Sequence, residues 1–351
     1  MDIAVLINYA WDFHDTVVEA RAMVSAGVDT IAVPEPYSFD GATQLGYLAA
    51  AVPEAKLTSS ILPLYSRTPT LTAMTAASLD YLTGGRFRLG LGTSGPQVIE
   101  GFHGVAYDAP IGRTREYVDI CRMVWTGQKV RYEGEYYRLP VAEEKGTGLG
   151  RPLAMIRKPL RADIPIDLAA LGPKNVELTA EIADGWQPMF VDPQRFRDVW
   201  GAALVRGTAR RDKTLGPLLI HAQTPTCVGG PGSPGFRAIA EHYALYIGGM
   251  GAPGKNFYYN LVSTYGFGAE AAQIQEAFLS GRKDRAADLV PDALIEATCL
   301  TGGIDEKRRH LESLREAGVD SVFLIPFDQD PGTRLAAVRE VAAARSQGIA
   351  Q

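Results

Sequence analysis

Residues 79–96, LDYLTGGRFRLGLGTSGP, decide the fold of this chain. The stretch runs from the end of an apolar helix through a glycine turn, Gly84-Gly85, into a strand over residues 86–91. That strand opens at once into Gly92-Thr93-Ser94-Gly95-Pro96. A loop with so little side-chain bulk lets its backbone approach a planar or phosphorylated ligand closely. Residues 90–95 also satisfy G-x-G-x-x-G, the fingerprint of a dinucleotide-binding turn. The flanking sequence decides between a Rossmann turn and the rim of a barrel.

Outward from this stretch, apolar strands alternate with amphipathic helices. The pattern predicts strands at 3–8, 30–33, 56–60, 86–91, 164–169, 186–190, 218–226 and 321–326. Helices are predicted at 15–26, 42–51, 69–81, 113–125, 174–184, 193–210, 305–317 and 333–346. Strands joined by helical crossovers form parallel sheets, and eight such units are the barrel count. An internal echo supports closure. Ala26-Gly27-Val28-Asp29-Thr30-Ile31 matches Ala317-Gly318-Val319-Asp320-Ser321-Val322, a helix stop with glycine as left-handed cap followed by an apolar strand. The expectation is an α/β chain, one (β/α)8 TIM barrel over residues 1–351, with insertions at about 126–163 and 229–297. In the first insertion, residues 130–139 read as a hairpin turning at Glu133-Gly134.

This order disposes of the fingerprint. A Rossmann G-x-G-x-x-G sits in the first βα turn, with an acidic residue at the end of the second strand. Here the glycines follow the fourth strand and no second strand carries the acid. In a barrel the same loop lies at the C-terminal rim, where ligands bind. A second decoy, Gly249-Met250-Gly251-Ala252-Pro253-Gly254-Lys255-Asn256, fits G-x-x-x-x-G-K but ends in Asn where a phosphate loop needs Ser or Thr. It reads as a helix stop and loop, with Lys255 a candidate cation for an anionic tail.

Bulk properties narrow the class. The chain has 351 residues, 46% hydrophobic and 21% charged, with a net charge of −5. No apolar run reaches the roughly 20 residues that span a bilayer. The start, MDIAVLINYAWDFHD, lacks a basic segment followed by an apolar one. Cys121, Cys227 and Cys299 are odd in number and set in apolar surroundings, which suits buried thiols of a cytoplasmic protein. No basic stripe with interleaved aromatics is present, so nucleic acid is not an expected partner. The five histidines, 14, 103, 221, 242 and 310, lack ligand spacing, and no metal is expected.

Segments 78–104 (SLDYLTGGRFRLGLGTSGPQVIEGFHG), 113–125 (RTREYVDICRMVW) and 167–186 (DLAALGPKNVELTAEIADGW), with the terminal REAGVDSVFLIPF, resemble the bacterial luciferase-like flavin and deazaflavin oxidoreductases. Within them the chain is most similar to the coenzyme F420-dependent branch, the methylene-tetrahydromethanopterin reductase-like proteins. The resemblance implies a (β/α)8 barrel, a cofactor across the C-terminal rim and a homodimer. It places the deazaflavin ring against the end of the third strand, Ser59-Ser60-Ile61, with a non-proline cis peptide at Ser60–Ile61. Thr93, Ser94, Gly95 and Gln97 line the cofactor in this alignment, and Ala170-Leu171-Gly172-Pro173-Lys174-Asn175 opens a helix toward it. Pro173 suits a first helical turn, and the free N–H groups beyond it make an anion site for the cofactor phosphate.

The chain also departs from the family pattern. Leu6 stands where some relatives carry Glu or Gln facing the ring. Attention shifts to Asn8, Tyr9 and Glu35, with Tyr9 and Glu35 as candidate proton donors and His103 as a further group in reach of substrate. The segment 151–161, RPLAMIRKPLR, holds Arg151, Arg157, Lys158 and Arg161 without an acid. Read as a rim loop it complements the phosphate and glutamate tail of F420. Read otherwise it is a solvated loop or a dimer contact.

Two enzyme classes follow, with a non-catalytic binding barrel as a third reading. The first is an F420-dependent reductase or dehydrogenase, moving a hydride between reduced deazaflavin and a C=C or C=N bond of a small organic or peptide substrate. The second is an FMN-dependent luciferase-like monooxygenase.

Overall fold

The computed structural model describes residues 1–251 and 254–347. Eight parallel strands close into a barrel: Asp2–Leu6, Thr30–Val33, Lys56–Ser59, Phe87–Gly92, Ile166–Leu168, Gly185–Trp186, Leu219–Thr226 and Ser321–Pro326. The first strand pairs with both the second and the eighth, and the third pairs with the fourth, so no edge is left open. Helices pack outside, and the apolar core lies between them and the barrel wall.

The strand that opened the sequence reading shows how the wall is made. Phe87, Leu89 and Leu91 are buried under the helices, while Arg88, Gly90 and Gly92 alternate with them. The echoed αβ device is real. Gly27 and Gly318 adopt φ of 102° and 100°, conformations open to glycine. The aspartate two residues after each glycine then secures the neighbouring strand. Asp29 accepts from Ile3 N at 2.9 Å, and Asp320 from Ile220 N at 2.8 Å. Asp184, before the sixth strand, repeats this with Ile166 N at 2.9 Å.

Several boundaries differ from the pattern. The sixth strand is only Gly185–Trp186, because Pro188 offers no N–H and Phe190 turns left-handed at φ 56°. Its expected continuation keeps a single bridge, Met189 to Gln223. A short helix, Pro96–Gly101, occupies what read as loop. In the first insertion the paired residues are Tyr132–Glu133 and Arg138–Leu139, so the turn starts at Gly134, one residue later than expected. Glu116 holds that turn by accepting from the N–H groups of Glu135, Tyr136 and Tyr137. The second insertion is helical, beginning with Pro234–Gly249 and ending with Asp292–Thr298. The G-x-x-x-x-G-K segment falls between two of its helices, with Ala252 and Pro253 outside the described residues. Its Asn256 caps Phe257–Val262, accepting from Tyr258 N and Tyr259 N. Cys121, Cys227 and Cys299 are all free and buried. No helix among the described residues is long and apolar enough to cross a membrane.

Candidate active site at the C-terminal rim

The third strand carries the feature on which the site is built. Thr58 pairs with Arg88, and Leu62 pairs with Leu91. Four steps on one strand thus match three on the other, so Ser59 to Ile61 contain one extra residue, a bulge. The Ser60–Ile61 peptide inside it is cis. The glycines of the neighbouring strand make room for it. A Cβ on Gly90 would overlap the Ser59 carbonyl oxygen, and one on Gly92 would stand 2.9 Å from Ile61 Cδ1. The Ser59 hydroxyl donates to Gly90 O and accepts from Gly90 N, both at 2.8 Å. From inside the barrel, the Ser60 hydroxyl donates to Gln187 Oε1 at 2.8 Å and accepts from Gln223 Nε2 at 3.1 Å. Sequence reasoning passed over both glutamines. Their signal was a polar residue at an inward position of an otherwise apolar strand end.

Beside the bulge lies a small cleft that brings Thr93 and Asn175 together with Gly92 and Ala169. Ser94 is left-handed, with φ 56°, and Gln97 is exposed at the start of the short helix. The loop 170–172 is held from behind: Trp186 Nε1 donates to Ala170 O at 2.9 Å, and Trp200 Nε1 to Leu171 O at 3.0 Å. Gly172 is the cap residue and Pro173 opens the helix Pro173–Ile182 without a side-chain cap. The N–H groups of Lys174 and Asn175 lie in the unpaired first turn. A Cβ on Gly172 would come within 3.2 Å of the Phe257 ring, which carries the second insertion over this loop. Exposed Lys174 and Lys255 flank it. Helix N–H groups, hydroxyl, carboxamide and nearby ammonium groups are the donor set a phosphorylated cofactor requires.

The first two βα loops look different. Their acids are engaged in structure. Asp12 caps the helix Phe13–Ser25. Glu35 accepts from Gly41 N at 2.7 Å and from Arg67 Nη2 at 2.8 Å, and Arg67 also pairs with Asp40. Glu35 is therefore a structural bracket, and the structure does not bring it to the bulge as a free donor. Burial, with Tyr37 adding to it, raises the Tyr9 hydroxyl above the usual phenol range. His103 is half-buried against Phe102, ring centroids 5.2 Å apart, and Phe102 lies 6.0 Å from Tyr37. Across the rim the second insertion adds Tyr246 and Tyr258, edge to face at 4.6 Å.

The basic segment 151–161 is not at this rim. Arg161 pairs with the buried Asp80 and donates to Phe87 O, at the start of the fourth strand. Arg157 lies over the Tyr81 ring at 4.2 Å. A segment that leads into a strand must reach the strand's N-terminal end, which is the opposite face of the barrel. The expectation of a tail-binding rim loop is corrected on that ground. The same face opens into a cavity of about 500 Å³ lined by Lys56, Arg88, His221 and Phe323 among others. Arg88 there is engaged by buried Asp167, Nε to Oδ2 at 3.1 Å. Burial alone pushes Asp167 up, but Arg88 and then His221 outweigh it and hold the carboxyl below its usual range. This polar network continues upward through Gln187, which bonds Asp167 and accepts from the Ser60 hydroxyl of the bulge.

Fold and rim together define the class, a parallel α/β-barrel enzyme with a candidate ligand site at the C-terminal ends of the strands. The chain belongs to the luciferase-like monooxygenase family, whose model matches residues 3–321. It is 39% identical over 321 residues, 90% of this chain and 92% of the relative, to a Mycobacterium tuberculosis protein assigned as a coenzyme F420-dependent oxidoreductase. It is 27% identical to the 5,10-methylenetetrahydromethanopterin reductase of Archaeoglobus fulgidus, covering 80% of this chain and 79% of that one. Among solved structures, the coenzyme F420-dependent tetrahydromethanopterin reductase of Methanopyrus kandleri superposes with a TM-score of 0.77 at 21% identity, covering 97% of both chains.

Proposed function

We propose that this chain is a coenzyme F420-dependent oxidoreductase acting on a C=C or C=N bond of a small organic or peptide substrate. One observation carries the reading: relatives named for F420 match along most of the chain, and the loop after the fourth strand lines one cleft with the first turn of the helix Pro173–Ile182. When bound, the reduced deazaflavin supplies a hydride. Ser59, Ser60 and Ile61 would support its ring, and Thr93, Ser94, Gly95 and Gln97 would line it. Lys174, Asn175 and the Gly172-Pro173 turn, with Ala170 and Leu171 behind them, would hold its phosphate. Lys255 sits where an anionic tail would pass.

The chain's own task is to orient the acceptor, exclude water and deliver a proton. Tyr9 fits the last role best. Its hydroxyl stands three residues beyond the end of the first strand, and Glu35, the other candidate, is engaged by Arg67. His103 belongs to the substrate-facing side in this reading, and Glu35 holds the second loop in place. A homodimer completes the proposal, supported by the exposed apolar Leu149, Leu153 and Ile156 of the first insertion.

Titration of the purified protein with F420 and with FMN tests the cofactor. F420 is expected to bind at least tenfold more tightly. Anaerobic turnover with deuterated reduced F420 should then place deuterium on one face of the product, and Tyr9→Phe should lower kcat about a hundredfold with F420 affinity unchanged. Oxygen-dependent turnover with reduced FMN and no F420 binding would sink the proposal in favour of the monooxygenase.

A further inference from the structure

The cavity at the N-terminal mouth of the barrel, about 500 Å³, falls within the roughly 300–1,000 Å³ of small-molecule sites. It exists because the inward positions there are small. A barrel interior is ordinarily filled by branched side chains. Here the first and second strands place Ala4 and Thr30 opposite each other, with Phe323 packed on Ala4 and Ala32. On the next strands the inward row turns cationic. Thr30 pairs with Lys56, and because Leu57 pairs with Phe87, Lys56 stands beside Arg86 on the same face. Arg88 follows two residues on, and Arg161 joins from the segment before the fifth strand.

These cations hold more N–H groups than their partners use. Arg88 turns Nε and Nη2 to Asp167, and Arg161 turns the same two to Asp80 and Phe87 O. Arg86 directs its own to the carbonyls of Ala55 and Pro53, and pairs with no carboxylate among the described residues. Nη1 of all three arginines has no hydrogen-bond partner among the described residues, and that of Arg88 and of Arg161 stays open to solvent. The Lys56 ammonium meets Asp2 at 3.2 Å, but both side chains are more than half exposed, a pairing that water weakens. Asp2 and Asp320 line the side of the first and eighth strands, where Asp320 also holds Ile220 N. A ligand that satisfies the arginines therefore needs several anionic oxygens at one end and no second anion at the other. A carboxylate offers two oxygens, whereas a phosphate monoester offers three, in directions that suit separate guanidinium groups.

We infer that the N-terminal mouth of the barrel is a second binding site, for the phosphate monoester of a small molecule with an uncharged body, received by Lys56, Arg86, Arg88 and Arg161. The inference is independent of the proposed cofactor, whose residues lie at the opposite end of the barrel. Calorimetry at physiological ionic strength with phenyl phosphate, benzoate and benzyl alcohol, which share a ring and differ in head group, tests it on protein saturated with F420. Phenyl phosphate is expected to bind at least tenfold more tightly than the other two. Arg86→Ala and Lys56→Gln, both at exposed positions, should each weaken it at least fivefold, with F420 affinity unchanged. Arg86→Lys should weaken it less than Arg86→Ala. Gly172→Val, at the helix start that the proposed function assigns to the cofactor phosphate, should leave phenyl phosphate unaffected. Benzoate binding as tight as phenyl phosphate, indifference to Arg86→Ala and Lys56→Gln, or a loss confined to Gly172→Val overturns the inference. Failure to bind F420 while phenyl phosphate still responds to Lys56 and Arg86 would instead overturn the proposed cofactor and leave this site as argued.

Discussion

The two halves of the C-terminal rim are built on opposite principles. Around the third to fifth strands the working surface is backbone: a bulge, glycines that admit it, and a helix start whose N–H groups are free. Around the first and second strands and the helical insertion it is side chain: tyrosine, phenylalanine and a buried histidine. A backbone surface is specified by what a Cβ would obstruct, and it tolerates almost no change. A side-chain surface is specified by ring area, and it can be retuned one residue at a time. The contrast shows which half of the rim can be altered without disturbing the barrel wall.

The largest expected effect falls on the backbone half. Gly90→Ala places a methyl group on the Ser59 carbonyl and should cost more than about 4 kcal/mol of stability, or abolish folding, in urea unfolding. A variant of near-native stability would show that the bulge can move, and would weaken the contrast.

Acid should act on the aromatic half. Burial pushes the His242 imidazole down to about 4 from the usual value near 6.5. Between these values the unfolded chain binds a proton that the folded chain refuses. The contribution of His242 is therefore complete above about pH 6.5 and is lost as pH falls toward 4, by roughly 3 kcal/mol at most. Unfolding curves at pH 7, 5.5 and 4.5 should show the loss, and His242→Phe should shrink it. His310, also lowered to about 4 by burial but on the outer helix Ile304–Ala317, keeps its own share in that variant. An unchanged slope would mean that His242 gains a partner on protonation.

The smallest effects separate the two ends of the barrel. Gly172→Val, crowding Phe257 at the helix start, should weaken F420 about tenfold, near 1.4 kcal/mol, and a dephosphorylated analogue much less. Arg157→Ala with Lys158→Ala, on the far face, should leave F420 affinity within twofold. Equal losses from both would return the basic segment to the cofactor.

Much of this was legible in residue order. The alternation, the Ala-Gly-Val-Asp echo and the G-P-K-N helix start are local signals, since each is set by the hydrogen bonding and φ preference of a few neighbouring residues. The sixth strand read too long because periodicity alone does not register how a left-handed Phe190 ends a run. The basic segment misled because charge in sequence carries no information about which end of a strand a loop serves.

By itself the sequence determined a barrel, its order of strands, the glycines at 90, 92 and 172, and the family resemblance that put a cis peptide at Ser60–Ile61. These depend on patterns that survive in one dimension. Tertiary structure alone decided that Glu35 is tied to Arg67, that Gln187 and Gln223 grip Ser60 across the barrel, and that Tyr246 meets Tyr258 edge to face. Ser60 and Gln223 are 163 positions apart. Only closure of the sheet makes them neighbours, because a side chain's chemistry is set by what stands within a few ångströms of it and the chain order does not record that distance.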